Sequence, residues 1–211
     1  MSEMSRHLIA SGNDLVEDGV RRLAAAQDRV AARLGRLTGK GWDVPANEVA
    51  LERLLTTGHF LDRSGELEWT PREIAGHLRD TARVSTGQKI ARLRNEADAH
   101  FEEFDTTGEE RVASYAEIEP DDLTAELDAA QRELRGAVGS IDPEELDTAT
   151  HETQDEVTLR SIVESLPAHW EEIVTMPWMT WTLRSIVEFL PAHWEEHADQ
   201  LEAVTAEAIV S

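Results

Sequence analysis

Thr182-Leu-Arg-Ser-Ile-Val-Glu-Phe-Leu-Pro-Ala-His-Trp-Glu-Glu-His-Ala-Asp-Gln-Leu-Glu-Ala-Val-Thr205 decides the fold class. Leu183, Ile186, Val187 and Leu190 recur at helical steps, His193 and His197 continue their face, and Leu201 and Val204 complete it. At about 100° per residue this is one stripe of one helix. Two imidazoles, one turn apart, sit on the side that otherwise enters a core. Pro191 removes the hydrogen bond to the Val187 carbonyl and predicts a kink there.

Working outward, most of this text already occurs once upstream. Thr158-Leu-Arg-Ser-Ile-Val-Glu-Ser-Leu-Pro-Ala-His-Trp-Glu-Glu172 returns over 182–196, with Ser165 against Phe189 as the one mismatch. Two copies are too few to stack into a solenoid, so this is a local duplication. The 24-residue period would turn an unbroken helix about 240° past whole turns and point the two apolar faces apart. Pro177, in Thr175-Met-Pro-Trp-Met-Thr180, supplies the break. After His169 the i+4 position is Ile173; after His193 it is His197, and the stripe continues. The expectation is that 182–205 forms the bundle helix and 158–174 an extra helix beside it.

The rest of the chain reads the same way, and strand signals are nearly absent. Val16, Val20, Leu23, Val30, Leu34 and Leu37 mark a helix from Asn13 to Thr38, interrupted at Gln27 and ended by Gly39-Lys-Gly41. A short helix follows from Pro45 to about Thr57. Thr70-Pro-Arg-Glu73 is a capping box with proline at the first helical position, opening a helix to about Ala99. On its face Ile74 and Leu78 are joined by His77, Thr81 and Ser85 at spacings of four. Residues 102–120 read as a loop with little order of their own. Pro120-Asp-Asp122 opens a third long helix through Val138, and Asp142-Pro-Glu-Glu145 a single turn. The expectation is one all-α domain over 1–211.

Composition bounds the function. The 211 residues carry 43 acidic and 20 basic side chains, a net charge of −23. That charge repels phosphate backbones and anionic lipid, which argues against nucleic-acid and membrane partners. Only Lys40 and Lys89 are lysines, and so acidic, lysine-poor a surface suits concentrated salt, where screening acts over about 3 Å. A halophilic protein is expected. With no cysteine there is no disulfide, thiolate metal site or cysteine nucleophile. No apolar run reaches the ~20 residues of a membrane span, and Met1-Ser-Glu-Met-Ser-Arg-His7 lacks signal-peptide character. A cytoplasmic location is expected.

His193-Trp-Glu-Glu-His197 pairs imidazoles at i and i+4, a spacing that chelates one ion. It lacks the protease pattern, because Trp194 stands where glutamate would follow the first histidine. The pair alone fits equally well two partly buried histidines with hydrogen-bond partners. His77, on the inward face of another long helix, tips the balance toward metal. Three neutral imidazoles converging in a bundle core leave an open position for water or substrate. Thr81 and Ser85, one and two turns after His77, are candidates to orient the ligands or bind substrate. Trp194 is a candidate pocket wall. His7, His59, His100 and His151 fall near helix ends or in polar loops.

Trp69-Thr-Pro-Arg-Glu-Ile-Ala-Gly-His-Leu-Arg-Asp80, Glu156-Val-Thr-Leu-Arg160 and His193-Trp-Glu-Glu-His197 together resemble the DinB/YfiT-like superfamily of helical metalloproteins. The resemblance runs from the first helix to about Val204. It implies an up-down-down-up four-helix bundle and frequent homodimers. It also implies a divalent metal, typically zinc or nickel, on His77, His193 and His197. Thiol-dependent transferases and isomerases are found among such proteins. The 24-residue duplication departs from the family pattern. The expected function is a metal-dependent S-transferase or hydrolase acting on a small molecule, with any thiolate brought by a low-molecular-weight thiol cosubstrate. The alternative is a non-catalytic, stress-related protein that binds a metal or small molecule.

Overall fold

The computed structural model describes residues 12–57, 66–95, 108–146 and 183–206. Among them the regular structure is all helical, without a strand. The helices are α1 (Gly12–Leu34), α2 (Glu48–Thr57), α3 (Pro71–Val84), α4 (Ala91–Asn95), α5 (Glu109–Ser114), α6 (Pro120–Gly139) and α7 (Leu183–Thr205). A π-helical turn, Ser85–Ile90, joins α3 to α4. None of these helices is long and apolar enough to cross a membrane.

Four helices touch in a closed ring: α1 packs on α7 and α6, and α3 packs on α6 and α7. Side-chain pairs give their directions. Gly19 lies against Val187, Arg22 binds Glu195 and Arg29 binds Asp199, so the numbers rise together and α1 runs parallel to α7. Arg72 meets Ile118, just before α6, and Arg79 meets Glu126, and on α4 Arg94 meets Ser140, so α3 and the α4 that follows it run parallel to α6. Gly139 faces Val20 and Arg135 reaches Asp28, so α1 and α6 are antiparallel. The inward stripes, among them Leu23, Val30, Ile74, Leu78, Leu127, Leu134, Ile186 and Leu201, merge into one apolar cluster.

The second copy of the repeat is α7. The first copy, with the extra helix expected over 158–174, lies outside the described residues, as do His7, His59, His100 and His151. Pro191 stands inside α7, which continues past it. A Cβ at Gly19 would lie 2.6 Å from Val187 Cγ1 and 3.1 Å from the Val187 oxygen. That carbonyl is the one whose helical donor Pro191 removes, so glycine lets α1 close over it.

Two expectations are corrected. The first helix ends at Leu34 rather than Thr38, because Arg36 and Leu37 bond to Arg33 and Leu34 carbonyls and tighten the chain into turns. The 102–120 segment is more than a loop where it is described. α5 and a 3₁₀ turn at Tyr115–Glu117 bring Tyr115 to full burial. Its ring occupies the space where a Gly76 side chain would be, and its hydroxyl donates to Asp80 Oδ2 at 3.0 Å. Tyr115 thereby ties α5 to α3.

Candidate metal centre

α3 begins as its capping box dictates. The Thr70 N–H donates to Glu73 Oε2 at 2.7 Å, and the Glu73 N–H donates to Thr70 Oγ1 at 3.3 Å. The box fixes the helical phase, which turns Ile74, His77 and Leu78 inward, each nearly inaccessible to solvent. From α7, His193 and His197 enter the same space at 5% and 0% exposure. One candidate ligand atom from each of His77, His193 and His197 falls within 4.8 Å of the others. No carboxylate joins this group among the described residues.

One separation in the cluster already matches a shared ion. Tetrahedral zinc with bonds of ~2.0–2.1 Å holds neighbouring nitrogens about 3.3 Å apart. His77 Nε2 and His193 Nε2 stand 3.2 Å apart. His197 Nδ1 faces Gln200 Oε1 at 2.8 Å, and a proton on Nδ1 donated to that oxygen leaves Nε2 to face the cluster with its lone pair. Such a partner fixes the tautomer and ring plane of a ligating imidazole. Three imidazoles with no carboxylate suit zinc, nickel, copper or iron rather than the oxygen-preferring calcium and magnesium.

The walls are aromatic. Trp69 stacks on His197 with centroids 6.2 Å apart and planes 7° from parallel, and lies 5.0 Å from His77. Phe189 stacks on His193 at 5.5 Å. Thr81 Oγ1 approaches His77 Nε2 at 3.4 Å, placing a hydroxyl beside the ligand cluster. Ser85 opens the π-helical turn, so the α-period linking it to His77 ends there; its side chain lies outside the described set. Trp194 is fully buried, one turn-pair on from Val187 and so on the edge of α7 that meets α1. Glu195 belongs to the rim, where Arg22 takes both its oxygens.

Trp69, Phe189 and Gln200 are the contributors that reading the sequence missed. Gln200 had a signal, three residues after His197 on the apolar face. Trp69, before the cap, and Phe189, the one residue that distinguishes the copies, looked like packing.

Beside the centre, on a neighbouring face of α3, lies a buried ionic network. Asp80, 2% exposed, accepts from Arg79 Nε at 2.8 Å, Arg111 Nε at 2.7 Å and the Tyr115 hydroxyl. Burial, reinforced by the Asp80 charge, pushes the Tyr115 phenol well above its ordinary pKa, so it stays a donor. Burial works against the Arg79 charge, but Asp80 and Glu126 outweigh it and hold the guanidinium protonated. This network pins α5 to α3 immediately behind His77.

No family model, curated protein or solved structure gave a match to the chain.

Proposed function

We propose that the chain is a divalent-metal-dependent enzyme of the DinB-like kind, a thiol-dependent S-transferase or a hydrolase acting on a small molecule. The observation that carries this reading is the convergence of three buried imidazoles, His77, His193 and His197, with no carboxylate among them. The helix directions support the family resemblance, since parallel α1/α7 and α3/α6 pairs are what an up-down-down-up four-helix bundle requires. Zinc or nickel fits the donor set. Such an ion supplies Lewis acidity that makes a water or a thiol acidic near neutral pH.

The protein's own groups do the rest. Gln200 holds the His197 tautomer, and Trp69 and Phe189 fix ring planes and exclude water. The Thr81 hydroxyl is placed to accept a hydrogen bond from a group bound beside His77. Because the chain has no cysteine, a thiolate must come with the cosubstrate. A cytoplasmic, halophilic homodimer is part of the same reading.

The near-complete burial of all three rings favours a second reading, a non-catalytic protein that binds a metal or small molecule. Metal analysis of protein purified in high salt, followed by assays of thiol consumption with an electrophile, separates them. The enzyme reading expects one metal per chain and thiol turnover. Stoichiometric metal without turnover of thiols or esters leaves the binding protein. Absence of metal uptake removes both metal readings.

A further inference from the structure

Gln27 interrupts the apolar stripe of α1, yet it is 1% exposed, and neither its amide oxygen nor its amide nitrogen has a hydrogen-bond partner. Gln131 Nε2 on α6 and the indole Nε1 of Trp194 on α7 share this condition, as does Thr86 Oγ1 in the π-helical turn. Buried polar atoms are almost always paired with protein, water or ligand, so the orphans on α1, α6 and α7 call for a cause.

Helix register places the three at one height. On parallel α1 and α7, Gln27 falls between Arg22, paired with Glu195, and Arg29, paired with Asp199. It is thus level with His197. On antiparallel α1 and α6, seven residues on from Val20 and eight back from Gly139 bring Gln27 and Gln131 to the same level. Trp194 lies within one turn of both histidines of α7. The edges of α1 are taken by Gly19, Arg22 and Arg29 toward α7 and by Val20 and Asp28 toward α6, so Gln27 points between them into the bundle. The charged residues of α1 and α7 at this height pair at the rim, and among the described residues the buried charged side chains are Arg79 and Asp80, which pair with each other.

We propose that Gln27, Gln131 and Trp194 form an uncharged polar subsite behind the three histidines, which binds an amide group of the small molecule whose other end meets the metal. This rests on the metal reading above. A carboxamide offers a donor and an acceptor, and so matches a primary amide. A carboxylate would find no cation there, and an alkyl group would leave all three side chains unpaired.

The test uses the full chain loaded with cobalt(II), whose visible spectrum reports a thiolate ligand. It is titrated with 3-mercaptopropionamide, 3-mercaptopropionate and 1-butanethiol. Wild type should bind the amide at least tenfold more tightly than either of the others. Gln27→Met and, separately, Gln131→Met should each cut that preference at least fivefold while leaving butanethiol affinity within twofold. Either variant suffices if the other fails to fold, as judged by its helical circular dichroism. No binding of the amide, equal affinities in wild type, or a preference that survives the substitutions overturns the proposal and makes the layer a structural contact between α1 and α6. Failure of wild type to take up cobalt overturns the metal reading itself, and this inference with it.

Discussion

Asp80→Asn tests whether the crossover is fastened by charge. The substitution preserves shape but removes the charge that balances Arg79, whose side chain is 8% exposed, and turns an amide donor toward two guanidinium donors or the phenol. Breaking a buried ion pair by removing one partner costs about 3–5 kcal/mol. For a chain of this length that lowers the midpoint of thermal unfolding by roughly 6–20 °C. The partners rank by burial. Tyr115→Phe deletes one hydrogen bond to a charged acceptor, about 1.5–3 kcal/mol. Arg111, 41% exposed at its side chain, is screened by solvent, and Arg111→Ala should cost under ~1 kcal/mol. Denaturant unfolding of the three variants, with metal content measured alongside, checks the order. Metal stoichiometry should survive in all three, because none of the substitutions removes an imidazole of the cluster. A loss below ~1 kcal/mol in Asp80→Asn, or an equal loss in Arg111→Ala, would refute the idea that burial of this carboxylate governs the fastening.

Three further outcomes are expected. His77→Ala should abolish stoichiometric metal binding and leave most helical signal, since the apolar cluster spans four helices; full occupancy in the variant would remove His77 as a ligand. Gly19→Ala should destabilise by up to about 2 kcal/mol in chemical unfolding, because an overpacking cost of about 1–3 kcal/mol against Val187 outweighs the ~1 kcal/mol gained in helix propensity; a more stable variant would show that α1 can back away. Arg72 holds the Asp43 carboxyl, and Arg94 the Glu145 carboxyl, below the ordinary carboxylate range. Their stabilisation is therefore present above that range and lost as pH falls through the lowered values, so Asp43→Asn and Glu145→Gln should differ from wild type at neutral pH and converge with it in acid.

The long helices and the histidine faces were legible because they depend on period. Ile74, His77 and Leu78 are inward because the Thr70–Glu73 box sets the phase, and His193 and His197 because they continue a stripe begun at Leu183. Helix ends and the crossover were less legible because they depend on tertiary partners. Nothing near Tyr115 in sequence announces Gly76 or Asp80, which lie more than thirty residues away. The polar layer was half visible: Gln27 stood out as a break in a stripe, but its height relative to Gln131 exists only in the folded ring. The salt expectation rests on charge alone, and a comparison of unfolding midpoints in ~0.1 M and ~2 M potassium chloride decides it, with a higher midpoint expected in the concentrated salt.

The parallel pairing of α1 with α7 has a consequence for how the chain is made. Its ion pairs join residues 170 to 173 positions apart. At ribosomal rates of about 5–20 residues per second, α1 emerges roughly 10–35 s before the partner that covers it. Until then Leu23, Val30 and Leu34 lack the helix that covers them, α3 and α6 join the assembly only as each emerges in turn, and two of the three imidazoles do not yet exist. Contacts of such separation also slow the final collapse, because the loop must close before the contact rewards it. The nascent bundle is a three-sided trough awaiting its last helix, and a second, nearly identical strip of sequence reaches the ribosome exit first.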